Sequence, residues 1–241
     1  SSSTDGTTWT ATTSAGTGSN GQQCSFYASG TTFKYAREQG TANIFYREGT
    51  LVSDGTVTWG AAEQTVVGTA SATYFNPSIA VDSAGNLWIS VFNNADGSCE
   101  VWTNSGGWAR SLNTGTNVGC KVLAFSTSGR MAVVYQATLG NTAINVRTFD
   151  GVSTWATAVA TSATTYNIES SGIVVTASVV NLVVIVSSTC TYLSFTYGDG
   201  AWSSTTNALS GCAGSVAIAT DASATLAVAS FDSSSNVIAA V

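Results

Sequence analysis

The chain has 241 residues, a formal net charge of −6, 44% hydrophobic and only 8% charged residues, and no histidine. With no Lys or Arg after Arg147, it lacks the basic footprint that nucleic acid or an anionic membrane surface requires. The missing histidines remove Ser-His-Asp and Cys-His nucleophiles and most transition-metal sites, and no run reaches the roughly 20 apolar residues of a membrane span.

Along the chain, Thr4-Asp-Gly-Thr-Thr-Trp-Thr-Ala11 reads as a strand opened by an Asp-Gly turn, and Ser14 to Gly21 as a Gly/Ser-rich connection. Residues 25–28 and 32–36 are two short strands. Residues 75–112 give the clearest unit. There, Asn76-Pro-Ser-Ile-Ala-Val-Asp-Ser-Ala-Gly-Asn-Leu-Trp-Ile-Ser-Val-Phe92 holds two apolar runs joined by a turn, and residues 99–103 and 108–112 supply a third and fourth. Short β-rich runs separated by turn residues are antiparallel strands, here a meander A-B-C-D. The A and B strands recur at 121–125 and 130–135, at 172–175 and 181–186, and at 215–219 and 225–229. The chain ends on residues 236–241, a C strand without its D strand.

A repeat is tested by its period. Each D strand is expected to begin with a Trp: Trp9, Trp59, Trp108, Trp155 and Trp202, at spacings of 50, 49, 47 and 47. Joining Val241 to Ser1 gives a last step of 48. Asp5-Gly6, Asp54-Gly55, Asp150-Gly151 and Asp199-Gly200 precede four of these Trp, and Asp-Gly supplies the positive φ that tight hairpins need. The expectation is an all-β, five-bladed β-propeller of four-stranded antiparallel blades, its ring closed by the N-terminal strand pairing with the C-terminal strands. The blades fall at about residues 22–66, 75–114, 118–160, 168–208 and 212–241 plus 1–14, forming one domain. A sandwich of short strands has no reason for such a period.

Cys99 and Cys190 each open a C strand, while Cys120 and Cys212 each precede the A strand of the next blade, at separations of 21 and 22. C and A strands run parallel, so both slots lie at the same end of the ring. Disulfides Cys99–Cys120 and Cys190–Cys212 are expected, each tying one blade to the next. Cys24 occupies the pre-A slot of blade 1 without a partner slot, as an unpaired buried thiol or an intermolecular link. Paired cysteines imply an oxidising compartment, and a start at Ser1 without Met fits a processed, secreted chain.

No cysteine cluster has zinc spacing and no Gly-rich loop opens a helix, so no metal and no cofactor are expected. Among carboxylates, Asp5, Asp54, Asp150 and Asp199 read as turn formers, Asp82 and Asp221 as members of A-to-B turns, and Glu169 as a single carboxylate near the axial mouth. No catalytic residue is assigned.

Ser3-Thr-Asp-Gly-Thr-Thr-Trp9 and Ser53-Asp-Gly-Thr-Val-Thr-Trp59 resemble degenerate Asp boxes of sialidase-type propellers, about one residue short of that spacing. In that family the motif is structural, and catalysis needs three axial arginines. Arg37, Arg47 and Arg147 fall on B or C strands here and Arg110 on a D strand. The segment from Asn76 to Trp88 resembles one NHL-type repeat. In length, blade number and period the chain is similar to the tachylectin-2 type of five-bladed invertebrate lectin, without that family's repeated sugar-binding motif; Gly106-Gly107-Trp108 occurs once.

Three functions follow. The charge-poor Ser/Thr/Ala surface and the absence of catalytic groups predict a non-catalytic, extracellular, adhesive subunit that assembles with copies of itself into a filament or layer. The alternative is a glycan-binding lectin, with Trp88, Trp102, Tyr135 and Tyr197 as stacking candidates. A glycoside hydrolase comes third.

Overall fold

The computed structural model describes residues 24–39, 43–53, 56–68, 73–116, 119–127, 129–136, 143–161, 171–186, 188–220, 223 and 225–240. Blade 1 contains β1 (Cys24–Ser29), β2 (Thr32–Gln39), β3 (Asn43–Leu51), β4 (Val57–Trp59) and β5 (Gln64–Gly68). Blade 2 contains β6 (Tyr74–Val81), β7 (Leu87–Asn93), β8 (Ser98–Thr103) and β9 (Ala109–Thr116). Blade 3 contains β10 (Gly119–Ala124), β11 (Met131–Gln136), β12 (Ile144–Phe149) and β13 (Val159–Ala160). Blade 4 contains β14 (Gly172–Thr176), β15 (Val179–Val186), β16 (Thr189–Thr196) and β17 (Ser203–Ser210). Blade 5 contains β18 (Ala217–Thr220), β19 (Leu226–Phe231) and β20 (Val237–Ala240).

Within each blade the strands pair antiparallel in sequence order, except that β5 of blade 1 pairs with β3. The first strands of consecutive blades lie beside one another, β1 by β6, β6 by β10, β10 by β14 and β14 by β18. The chain is a five-bladed β-propeller. The segment expected to close the ring, residues 4–11, lies outside the described residues.

The core is divided among the seams. β11 shows how: all six of its residues are buried. Ala132 and Val134 point into an apolar cluster with Val180, Leu182 and Leu193 of blade 4. Met131, Val133 and Tyr135 point the other way, into a cluster with Trp88, Val101 and Leu112 of blade 2. Alternation sends side chains to opposite faces, and both faces are covered, so the strand reads as one apolar run. A third cluster joins Ala36, Ile44 and Tyr46 to Tyr74, Ile79 and Ile89, and a fourth joins Val183 and Cys190 to Val216 and Val228.

The disulfides Cys99–Cys120 and Cys190–Cys212 span blades 2–3 and 4–5, with Cα separations of 6.0 and 5.7 Å. Cys24 pairs with Arg37 in the β1–β2 ladder, and its side chain lies outside the described residues.

Three local expectations need correction. The outer edge does not begin on its Trp as one strand in blades 1 and 3. Trp59 ends β4 before β5 resumes the edge, and Trp155 makes only an isolated bridge to Phe149 before β13. In both breaks an arginine of the C strand stabilises the outer chain: Arg47 Nε donates to the Ala61 carbonyl at 3.0 Å and Arg147 Nε to the Ala156 carbonyl at 2.8 Å. The positive φ of the blade 4 C-to-D turn falls on Gly198 (91°), not on Gly200, because Asp199 N closes that turn onto the Thr196 carbonyl. Gly151 of blade 3 does carry it, at 87°. Finally, β6 is not straight: Asn76 has φ 52° and the register shifts between Phe75 and Ser78, since Pro77 has no N–H to give the ladder.

The periodic tryptophans tie consecutive blades together. Trp108 Nε1 donates to Gln64 Oε1 of blade 1 (3.4 Å), Trp155 Nε1 to Ser111 Oγ of blade 2 (3.0 Å), and Trp202 Nε1 to the Val159 carbonyl of blade 3 (3.1 Å).

Candidate functional site

The A-to-B turn of blade 2 is built on Asp82. Its Oδ1 accepts from the backbone N–H of Ala84 and Asn86, both at 2.9 Å. Its Oδ2 accepts from Asn86 Nδ2 and Trp88 Nε1, both at 3.0 Å. Asp82 N closes the turn onto the Asn86 carbonyl at 3.0 Å. A short carboxylate that bonds its own backbone favours such a turn over a continued ladder. The same device recurs at Asp150–Thr154 and Asp232–Asn236.

Asp150 shapes the C-to-D turn of blade 3, accepting on Oδ1 from the N–H of Val152, Ser153 and Thr154 at 2.8, 2.8 and 3.0 Å. The N–H groups of Thr154, Val152 and Ser153 hold its carboxyl below the ordinary aspartate value. These two turns lie at one end of neighbouring blades and leave a cleft of about 620 Å³ between them. Gly129 N reaches across the seam to Ser83 Oγ at 2.9 Å.

The cleft's apolar wall is aromatic. Trp88 and Phe149 stand 5.1 Å apart, with Trp155 at 5.3 Å from Phe149, although Trp155 itself does not line the opening. Around this wall sit the hydroxyl residues Ser83, Thr103, Ser105, Ser111 and Ser153. Val152 stands at the lip, 84% exposed. Among the described lining residues Asp82 is the one carboxylate, and none is cationic.

A second cleft of about 400 Å³ lies on blade 1 and is charged. Arg47 lies over Trp59, 5.4 Å from the ring centroid, beside Glu48, which binds Lys34 and Tyr46. Hydrogen bonds from Lys34 and Tyr46 hold the Glu48 carboxyl low against a smaller opposing effect of burial. On the neighbouring strand Arg37 grips Glu63 with two contacts of 2.6 Å. Burial pushes Glu63 up, but Arg37 and Tyr35 hydrogen bonds outweigh it and leave the carboxyl low. Burial, reinforced by Glu63, pushes the Tyr35 phenol up to about 12. In blade 2 the fully buried Glu100 accepts from Asn93, Trp102 and Arg110.

The arginines do not converge. Arg37 serves Glu63, Arg110 serves Glu100, Arg130 lies 4.3 Å from the Tyr197 ring centroid, and Arg47 and Arg147 hold outer-strand carbonyls. Of the four aromatic residues named as sugar stackers, only Trp88 lines the cleft, at 4% exposure. Tyr135 is buried, and Trp102 and Tyr197 pack against seam clusters. Asp5, Asp54, Asp221 and Glu169 lie outside the described residues. What sequence reasoning missed is that the turns shaped by Asp82 and Asp150 border one cleft. The available signal was the shared Asp-x-x-x-Asn/Thr pattern at 82–86 and 150–154, in an A-to-B turn and a C-to-D turn of adjacent blades.

No protein-family model matches this sequence, and no curated protein does. Solved structures do. The fucose-specific lectin from Aleuria aurantia aligns with 88% of this chain and 70% of its own length, at 13% identity and a TM-score of 0.58. AofleA from Arthrobotrys oligospora aligns with 90% of this chain and 67% of its own, at 10% identity and a TM-score of 0.59. The exo-β-1,3-galactanase from Phanerochaete chrysosporium aligns with 78% and 50%, at 13% identity and a TM-score of 0.52. At such identities the likeness is one of fold.

Proposed function

We propose that the chain is a non-catalytic carbohydrate-binding propeller that takes a neutral sugar in the cleft between blades 2 and 3. The observation that carries this reading is the cleft lining: five hydroxyl side chains around an aromatic wall, with no cation among the described lining residues. A pyranose offers a rim of hydroxyls and an apolar C–H face, and such a lining can meet both. An acidic sugar would enter beside Asp82 with no cation among the described lining residues to balance it. The fold likeness to a fucose-specific lectin supports the same class.

The non-catalytic part rests on Asp82. Glycoside hydrolysis uses two carboxyl groups across the scissile bond. The described lining offers one, and both of its oxygens already accept two hydrogen bonds each. The likeness to a galactanase is the observation favouring an enzyme instead. Two disulfides support an extracellular setting. A glycan array probed with dilute, monomeric protein tests the reading. Binding confined to neutral glycans is the expected result; binding of sialylated or uronic-acid glycans alone, or turnover of chromogenic glycosides, would overturn it.

A self-associating, adhesive subunit is the second reading. It is favoured by the exposed apolar residues Phe26, Phe231 and Val237. Filaments in negative-stain images, with no glycan bound, would select it.

A further inference from the structure

The cleft between blades 2 and 3 has a counterpart at the seam between blades 3 and 4. Asp82 N bonds the Asn86 carbonyl to close the A-to-B turn of blade 2, and Phe125 N bonds the Arg130 carbonyl to close that of blade 3, both at 3.0 Å. The serine after each of these residues bridges to the next blade's A-to-B turn. Ser83 Oγ accepts from Gly129 N at 2.9 Å, and Ser126 Oγ donates to the Ala177 carbonyl at 3.2 Å. From the far side each seam receives an aromatic pair, Phe149 with Trp155 at 5.3 Å and Phe195 with Trp202 at 5.6 Å. Both of these tryptophans donate Nε1 to the blade before their own.

On these landmarks Asp82, Asn86, Phe149 and Gly151 correspond to Phe125, Arg130, Phe195 and Tyr197. The first four line an open cleft. The second four close on one another. Tyr197 stands two residues beyond Phe195, as Gly151 stands two beyond Phe149. Its ring meets Phe125 edge to face at 5.4 Å, and the Arg130 guanidinium covers that ring 4.3 Å from its centroid. Phe125 and Phe195 are left only 2% and 3% exposed. Ala132, second in β11, takes the place of Trp88, second in β7, so Phe125 supplies the aromatic wall on this side. The hydroxyl residues Ser126 and Thr127 are exposed at the turn. Arg130 takes part in none of the described ion pairs, and a cation on a half-exposed ring is a weak latch.

We propose that the seam between blades 3 and 4 is a second neutral-sugar site which the chain occludes with its own side chains, Tyr197 in the sugar's place and Arg130 as the latch over it. This rests on the reading of the cleft between blades 2 and 3 as a sugar site. Tyr197 offers an apolar ring face and a hydroxyl tip, the same two features that a pyranose presents. Occlusion rather than loss of the site explains why the turn closure, the serine bridge and the aromatic pair persist at a seam without an opening.

Tyr197→Gly combined with Arg130→Asn gives this seam the residues of the open cleft and tests the proposal in the full-length chain. Hydroxyl-radical footprinting read by mass spectrometry should show labelling of Phe125 and Phe195 rising several-fold, with Ile89 unchanged. Unchanged labelling of both would mean that no space lies behind the plug, and overturns the proposal. In native mass spectrometry with neutral methyl pyranosides as probes, the double variant should hold one sugar more per chain than the wild type. Equal counts, with sugar bound to both forms, overturn the proposal and leave the site between blades 2 and 3 standing. Sugar on neither form would sink the parent reading and this one with it. Arg130→Asn alone alters one half-buried side chain and should raise labelling of Tyr197 several-fold; a ring still protected would show that the guanidinium is no latch.

Discussion

Trp88 and Asp82 are joined by a hydrogen bond of 3.0 Å from Nε1 to Oδ2, and both side chains are more than nine-tenths buried. The carboxylate thus anchors the turn that forms one wall of the cleft and, through Trp88, the aromatic wall as well. Asp82→Ala strands the buried indole N–H and releases two backbone N–H groups of the turn. A loss of about 2–3 kcal/mol is expected, read as a lower urea midpoint at unchanged slope. An unchanged midpoint would show the bond to be dispensable.

Ligand recognition should be separable from folding. Ser105 is exposed and lines the cleft. Ser105→Trp should block the site, weakening glycan binding at least about tenfold in calorimetry and leaving the melting temperature in place. Retained affinity would move the site elsewhere.

Breaking the Cys190–Cys212 disulfide, by replacing both residues with Ser, opens a link across 22 positions. The expected cost is about 3 kcal/mol, a melting temperature lower by roughly 6–12 °C for a chain of this size. Treatment with dithiothreitol should add nothing further at that seam.

Acid and alkali should both strike blade 1. Glu48 and Glu63 are held below their ordinary values. Their contribution is complete above the unfolded carboxylate pKa of about 4.3 and is lost as pH falls through the lower folded values. Tyr35, raised to about 12, acts in the opposite sense. Its contribution is complete below the unfolded value of about 10 and is lost as pH rises from there toward 12. Denaturant titrations should show the Glu63→Gln variant with a flatter acid limb and Tyr35→Phe with a flatter alkaline one.

Gly172 begins β14 where blades 4 and 5 meet. A Cβ there would come within 2.9 Å of Ile218 Cγ2 and 3.0 Å of its backbone N. Gly172→Ala should therefore destabilise by about 1–3 kcal/mol, and combining it with Ile218→Ala, which removes Cγ2, should cost less than the sum of the two single losses. Additive losses would show that the two do not compete for the same space.

Much of this architecture is legible in the sequence because a propeller repeats. The Trp spacing marks blades 1 to 4, and continuous apolar runs such as 131–135 reveal strands covered on both faces. The cleft is less legible. Asp82 and Asp150 each read as a turn former, and only the ring's curvature brings those turns together. The broken edges at Trp59 and Trp155 were also hidden, since they depend on Arg47 and Arg147 reaching an adjacent strand. Propensity describes one strand at a time, whereas these features arise between strands.

The two covalent bridges divide the molecule unequally. Blades 2 and 3 form one tethered couple and blades 4 and 5 another, while the described seams between 1 and 2 and between 3 and 4 rely on packing and hydrogen bonds. Under mechanical load or protease attack, fragments should therefore separate at those unbridged seams first, each couple leaving as a linked pair.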